Sequence, residues 1–306
     1  MNKIIRIGTR ESQLAVWQAN KVKDLLFAKG YTAELVLIKS EGDTNLLTPL
    51  YEFGVQGIFT KALDIALLNN EIDIAVHSMK DVPTVLAKGI IQAAVLPRAN
   101  FNDLLVSNGD LSWYAEGKMP FTIATSSTRR KAQWLNRYPD STIENLRGNV
   151  NTRLRKLSES NWNGAIFAAA GLERIGLRPE NAIELDWMLP APAQGAIIIV
   201  CKQNDEHHFN ICNLLNDEHT ALCTTIERDF LKALLGGCST PIAGIAKTIG
   251  TQVLFTGNIL SKDGNEKVEI EKLVDIKDAK NLGFDAAKEL LDNGGQVILE
   301  KILNDK

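Results

Sequence analysis

Apolar and polar residues follow two rhythms that change places along the chain. Short apolar runs at Lys3–Ile7, Leu35–Ile38, Ile72–Val76 and Ile90–Leu96 predict strands, with helical spacing between them. Helix is predicted over Glu11–Lys29, where Ala15, Ala19, Val22 and Leu26 recur at helical steps and form one buried stripe. A second helix is predicted over Ile58–Leu68. Between them Ser40–Gly57 breaks the rhythm with Gly42, Pro49, Gly54 and Gly57, and a stretch this long inside a compact domain points to a functional loop.

After Pro97 the alternation restarts, with strands predicted at Leu104–Ser107, Phe121–Thr125, Thr142–Leu146, Ala165–Ala168 and Ala182–Leu185. Leu189-Pro190-Ala191-Pro192-Ala193 reads as a stiff linker because two prolines fix φ, and Ala196–Val200 is one more buried strand. Strand–helix alternation predicts an α/β fold with mostly parallel sheets. The junctions near Pro97 and Pro190–Pro192 predict two lobes between which the chain crosses over and returns. Beyond residue 217 the texture changes. A long helix over Glu218–Leu235 ends at Gly236-Gly237, a C-cap signal, and strands near Ile242–Lys247, Gln252–Ile259 and Lys267–Val274 follow as a meander. A last helix carrying Leu282, Ala286 and Leu290 is predicted to stop at Gly294-Gly295. The expected division is 1–97 with 196–216 as lobe 1, 98–195 as lobe 2, and 217–306 as a small α+β third domain.

Composition narrows the class. Of 306 residues 45% are hydrophobic and 23% charged, enough apolar material for several cores without disulfides or metals. The longest apolar runs are strand-length, short of the ~20 residues that span a bilayer. A formal charge of −3 argues against a nucleic-acid coat or an anionic membrane as partner. The four cysteines, Cys201, Cys212, Cys223 and Cys238, form no CxxC pair, and the N-terminus has no secretion-type apolar segment. A reduced, cytoplasmic protein is expected.

The small total hides an uneven distribution. Thr125–Arg155 carries seven cations against two anions, a net +5, which leaves −8 on the remainder. Six of the seven are arginines, whose planar fork binds carboxylate or phosphate in two-point fashion. Thr125-Ser126-Ser127-Thr128-Arg129-Arg130 lies between a strand and a helix, as does Arg147-Gly148-Asn149 before the helix carrying Arg153. Helix caps followed by a solvated basic face explain either turn alone; two such turns, each with arginine, favour a polyanionic ligand. His77-Ser78-Met79-Lys80-Asp81-Val82-Pro83 follows the strand Ile72–Val76, where ligand groups sit in open α/β sheets. Lys80 and Asp81 suit a substrate carboxylate and a developing cation, or form a plain surface pair. Cys238 lies in a Gly/Pro-bounded loop, accessible to covalent chemistry, whereas the other three cysteines sit in apolar or helical contexts.

Together these segments resemble the hydroxymethylbilane synthase (porphobilinogen deaminase) family over nearly the whole chain. The resemblance is carried by Ile7-Gly8-Thr9-Arg10-Glu11-Ser12, Asp73 to Pro83, Thr125 to Arg130 and Leu146-Arg147-Gly148-Asn149-Val150. Ala169-Ala170-Gly171-Leu172, Ala193-Gln194-Gly195-Ala196 and Gly236-Gly237-Cys238 complete it. It implies two periplasmic-binding-protein-like lobes with a crossover hinge, plus a small α+β C-terminal domain bearing the cofactor. It also implies a transferase of tetrapyrrole, porphyrin and heme biosynthesis, carrying a dipyrromethane cofactor thioether-linked to Cys238. Four porphobilinogen molecules are condensed onto that primer with loss of ammonia, and the linear tetrapyrrole is then released by hydrolysis.

The resemblance assigns catalysis to Asp81, Lys80, Arg10, Arg147 and Arg153, with Asp81 stabilising the cation left by ammonia. Cofactor binding falls to Cys238, Lys80, Asp81, Thr125, Ser126, Ser127, Arg129, Arg130, Arg147, Ala169 and Gln194. Substrate binding falls to Arg10, Ser12, Gln194, Arg147, Arg153 and Phe59. Ser40–Gly57 is the candidate lid, with Glu52 and Gln56 standing where lysines are commoner. Asn151 and Ala193 replace commoner glycines, expected at little cost. A monomer acting on porphobilinogen, without nucleic acid, membrane or metal, is expected. Two other classes share part of the pattern. A two-lobed solute-binding protein needs neither Asp81 nor Cys238. A metal-dependent hydrolase would use Cys201, His207, His208, Cys212, His219 and Cys223, of which His219 and Cys223 are four apart on a helix.

Overall fold

A computed structural model of the chain describes residues 4–39, 60–109, 111–117, 120–234 and 240–304. The chain opens with β1 (Ile5–Thr9), α1 (Gln13–Ala28) and β2 (Ala33–Leu37), then α2 (Lys61–Leu68), β3 (Ile74–Ser78) and β4 (Ile90–Val95). It continues through β5 (Asp103–Val106), β6 (Thr122–Ala124), α3 (Thr128–Arg137), β7 (Thr142–Glu144) and α4 (Val150–Ser158). Next come β8 (Gly164–Ala168), α5 (Ala169–Arg174), β9 (Ile183–Glu184), β10 (Ile197–Lys202), α6 (Glu206–Asn213) and α7 (Glu218–Ala233). The last elements are β11 (Ile242–Ile249), β12 (Gln252–Leu260), β13 (Lys267–Asp275), α8 (Leu282–Leu290) and α9 (Gln296–Asn304).

Two compact units result. The described part of the first comprises 4–39, 60–99 and 195–222, and that of the second comprises the described residues of 100–194 and 223–304. The first unit holds a five-stranded sheet in the order β2-β1-β3-β10-β4, in which β10 alone runs against its neighbours. Its core joins Ala19, Val22 and Leu26 of α1 to Ile5, Ile7, Ile74, Ile197 and Ile199. The stripe expected on α1 is thus buried, although Ala15 sits at its margin. β3 runs two residues further than the sequence suggested, because Ser78 and His77 pair with Ile197 and Ile198 of β10.

The second unit holds a sheet ordered β7-β6-β8-β5-β9, in which β5 is the reversed strand. Both faces are covered, so successive residues serve different cores: Leu104 and Val106 pack on one side, Leu105 on the other with Trp134 and Phe121. The antiparallel meander β11-β12-β13 lies in the same unit, with Phe230 of α7 against Phe255 of β12 at a ring separation of 4.9 Å. The hairpin between β12 and β13 touches α3, where Asn136 Nδ2 donates to Gly264 O at 2.7 Å. A Cβ on Gly264 would meet Ala132 O at 2.5 Å, so only glycine permits this approach.

The helix carrying Leu282, Ala286 and Leu290 is broken at Gly294, which turns at φ 105°, as expected; a further helix, α9, follows and buries Ile298, Leu299 and Ile302 on one stripe. One expectation needs correcting: Ala193 is not a costless replacement, since it holds φ 62°, a left-handed conformation that costs an L-residue ~1–2 kcal/mol.

Candidate active site

In the first unit β1 and β3 are parallel neighbours, so their C-terminal ends share one edge of the sheet. Arg10 and Ser12 follow β1, and a single 3-10 turn, Met79–Asp81, follows β3. Met79 is 1% exposed and its N–H donates to Ala196 O at 3.0 Å, which pins the turn and leaves Lys80 and Asp81 half-buried. Beneath them Gln18 Nε2 donates to Ser78 Oγ at 2.8 Å. Ser12 caps α1, its hydroxyl accepting from Ala15 N at 3.4 Å. His77 is buried, and its Nε2 has no hydrogen-bond partner among the described residues. Burial first, and the charge of Arg10 second, push its pKa down to about 4.

The second unit repeats the arrangement. The ends of β7, β6 and β8 lie side by side and lead into α4, α3 and α5. Two of these turns are laced together. Thr125 N donates to Glu144 O at 2.8 Å, Leu146 N donates to Ser126 Oγ at 2.9 Å, and Ser126 Oγ is bonded to Asn145 Oδ1. Thr125 Oγ1 accepts from Ser127 N at 3.2 Å, and Ser127 Oγ caps α3 by accepting from Arg130 N at 3.4 Å. Asn149 caps α4, and Arg153 Nε donates to Gly148 O at 2.7 Å. Arg147 is only 5% exposed, and loss of solvent lowers the pKa of its guanidinium. The N–H of Ala169, first in α5, donates to Asn102 O at 3.0 Å.

Arg129 and Arg130 converge on Asp103, a residue the sequence reading passed over. Asp103 Oδ1 accepts from Arg130 Nε at 3.1 Å and Nη2 at 2.7 Å, and Arg129 Nη1 lies 2.8 Å from Oδ2. Gln194 Nε2 donates to the same Oδ1 at 2.9 Å and to Phe101 O at 2.7 Å. Burial alone would raise the pKa of Asp103, but the two guanidinia outweigh it and hold it well below the ordinary carboxylate range. The available signal was a charged residue at the head of the fully buried strand Asp103–Val106.

The +5 window is not one surface. Lys131, Arg137 and Arg155 are exposed, and Arg137 lies at the far end of α3, stacked 4.8 Å over Trp187. Arg129, Arg130, Arg147 and Arg153 are the cations held at the strand-end turns. Cys238, Phe59 and Ser40–Gly57, with Glu52 and Gln56, lie outside the described residues. Cys201, Cys212 and Cys223 are buried, and burial pushes the thiols of the first two up to about 11 and about 12. Among the described residues no three His, Cys, Asp or Glu side chains converge as a metal would need, and no helix is long and apolar enough to cross a membrane.

Comparison with known proteins adds an independent line. The family model "Porphobilinogen deaminase, dipyromethane cofactor binding domain" matches residues 5–210, and the C-terminal domain model of the same family matches 221–292. A chloroplastic porphobilinogen deaminase from Pisum sativum is 43% identical over 304 residues, covering 95% of this chain and 82% of its own length. Among solved structures, a periplasmic substrate-binding protein of an ABC transporter from Coxiella burnetii aligns with a TM-score of 0.44 at 13% identity, covering 74% of this chain and 97% of that one. An ancestral cationic amino acid solute-binding protein aligns at 0.44 and 12% identity, covering 69% and 87%.

Proposed function

The chain belongs to the porphobilinogen deaminase family, and we propose that the strand-end turns of its two sheets carry that family's chemistry. The activity is that of a hydroxymethylbilane synthase, a transferase with a dipyrromethane cofactor. When bound, the cofactor supplies the reactive pyrrole carbon onto which porphobilinogen is condensed.

One observation carries the assignment of residues: buried guanidinium outnumbers buried carboxylate in the second unit. Arg129 and Arg130 share the single carboxylate of Asp103, and Arg129 Nε is buried without an acceptor. Such a cluster suits added carboxylates, and every pyrrole of the cofactor and substrate brings an acetate and a propionate. Lys80, Asp81, Thr125, Ser126, Ser127, Arg129, Arg130, Arg147, Ala169 and Gln194 would hold the cofactor, with Cys238 as its covalent anchor. Arg10, Ser12, Arg147, Arg153 and Gln194 would receive substrate carboxylates, and Phe59 would add to substrate binding beside the candidate lid. In this reading three parts of the chain do the work: 1–97 with 196–216, 98–195, and 217–306.

Asp81 faces the step in which ammonia leaves porphobilinogen. Its carboxylate stabilises the positive charge that develops on the pyrrole and accepts the proton released when the new carbon–carbon bond forms. Lys80 beside it neutralises a carboxylate of the incoming molecule. The protein acts as a monomer, without nucleic acid or membrane, in the cytoplasm, where buried reduced thiols are at home. The name of the pea relative places that protein in the chloroplast.

Intact mass and rate together test this. The parent should carry the added mass of two linked pyrroles on Cys238. Asp81→Ala should fold and lose turnover by ~10³-fold, the size expected when a charge-stabilising group is removed. An unmodified mass in active protein, or a near-normal rate in the variant, would refute the assignment.

A further inference from the structure

Arg129 and Arg130 occupy the first turn of α3, where the helix dipole disfavours positive charge and no acidic residue stands. Both are buried, at 4% and 5% exposure. Burying two adjacent cations at the positive end of a helix is a local conflict, and such conflicts mark function. Asp103 relieves half of it: one anion against two cations leaves the cluster one positive charge in excess.

Asp103 also decides which donors remain. Arg130 gives Nε and Nη2 to Asp103 and Nη1 to Ile166 O at 2.9 Å. Arg129 Nη1 donates to Leu189 O at 2.7 Å and is ion-paired with Asp103 Oδ2 at 2.8 Å, while its buried Nε has no acceptor among the described residues. Gln194 holds Asp103 from a third side. Gln194 is itself fixed by the turn at Ala193, whose N–H donates at 2.6 Å to the buried Glu227 of α7. The other oxygen of Glu227 accepts from Ala246 N of β11 at 2.8 Å. Glu227 therefore ties this turn to the helix that leads into the Cys238 segment and to the strand that leads out of it.

We propose that Asp103 is a positioning residue for cofactor binding: it takes the inner donors and one charge of the Arg129–Arg130 pair, so that the pair receives one carboxylate. Gln194, besides the direct binding role assigned to it above, holds Asp103 in place. This rests on the reading that the two arginines hold the cofactor.

The test uses the full chain expressed as Asp103→Asn, Gln194→Met, Arg129→Gln and Arg130→Gln, with the two-pyrrole adduct measured by intact mass. Asp103→Asn keeps the shape and removes the charge. Its loaded fraction should fall about tenfold or more among folded molecules, the loss of charge-assisted hydrogen bonds. Added acetate should raise its melting temperature more than the parent's, because two cations are left uncompensated. A purely structural role would lower loading only in step with the folded fraction and would give no extra acetate response. Should Asp103→Asn not fold, Gln194→Met keeps all charges and removes one bond to Asp103. A drop of about threefold in its loading is then expected, and parent-like loading overturns the proposal. Full loading of Asp103→Asn alongside empty arginine variants overturns the positioning role alone. Full loading of the arginine variants overturns the reading beneath it.

Discussion

His77 is a buried base whose Nε2 has no hydrogen-bond partner among the described residues, and its burial fixes how it responds to pH. Burial and the nearby Arg10 hold it neutral down to about 4, whereas the unfolded chain protonates it near ~6.5. Between those values the unfolded state binds one more proton than the folded state, so stability falls as pH drops through that window and levels off below it. His77→Gln, which does not titrate, should flatten that part of a denaturant-melt series from pH 4 to 7; parallel slopes for variant and parent would contradict it. Asp103 behaves differently, since its pKa is lowered as an acid: its contribution is present above ~4 and is lost as pH falls further. The ring of His77 is neutral at pH 7.

At the scale of elements, both arginine-bearing turns join a strand to a helix, and the one at Arg147 does so through a conformation few residues adopt. Gly148 stands at φ 116°, and a Cβ there would meet Thr152 Cγ2 at 2.7 Å. Gly148→Ala should therefore cost ~1–3 kcal/mol and move Arg147 relative to Arg153, whose Nε is bonded to Gly148 O. A drop in melting temperature with a larger loss of turnover is expected, and an unchanged rate in folded variant would separate Arg147 from the chemistry. The sequence made these elements legible because apolar runs such as Ile197–Val200 have period-free burial, and α1 has a single stripe. It could not separate capping from ligand binding. Ser12, Ser127 and Asn149 look like anion-binding residues for the same reason that they cap: an oxygen is placed next to free N–H groups. Asp103 escaped notice because one carboxylate at a strand head ordinarily faces water. Only the pairing of β5 with β8 and β9 shows that this end is interior.

Across the whole molecule the two five-stranded sheets have the same plan. Each places its first three parallel strands in the order second, first, third, then a reversed strand, then the fourth. The reversed strand is in both cases the first one laid down after the chain crosses: β5 on entering the second unit at 99–100, β10 on returning at 194–195. The alternation in the sequence predicted two lobes, but not that each would be completed in this way, because strand order depends on pairings distant in sequence. One consequence is that the first unit cannot form from its own continuous segment. β10 lies between β3 and β4, and Ile197, Ile199, Cys201, Ile211 and Cys212 belong to its core. Fragment 1–99 would leave β4 without a partner strand and expose the flank of β3, with several side chains worth ~1.5–3 kcal/mol each missing from the core. Its backbone is also closed by the returning segment: Ala99 N donates to Gly195 O at 3.1 Å, and Asp217 N to Val95 O at 2.8 Å. Because residues 99 and 195 are already neighbours, a linker of about five residues joining 1–99 to 195–222 satisfies the geometry at little entropic cost. The joined chain should show a cooperative thermal transition and dispersed amide resonances, while 1–99 alone shows neither; cooperative folding of 1–99 would mean that β10 is dispensable to the unit it completes.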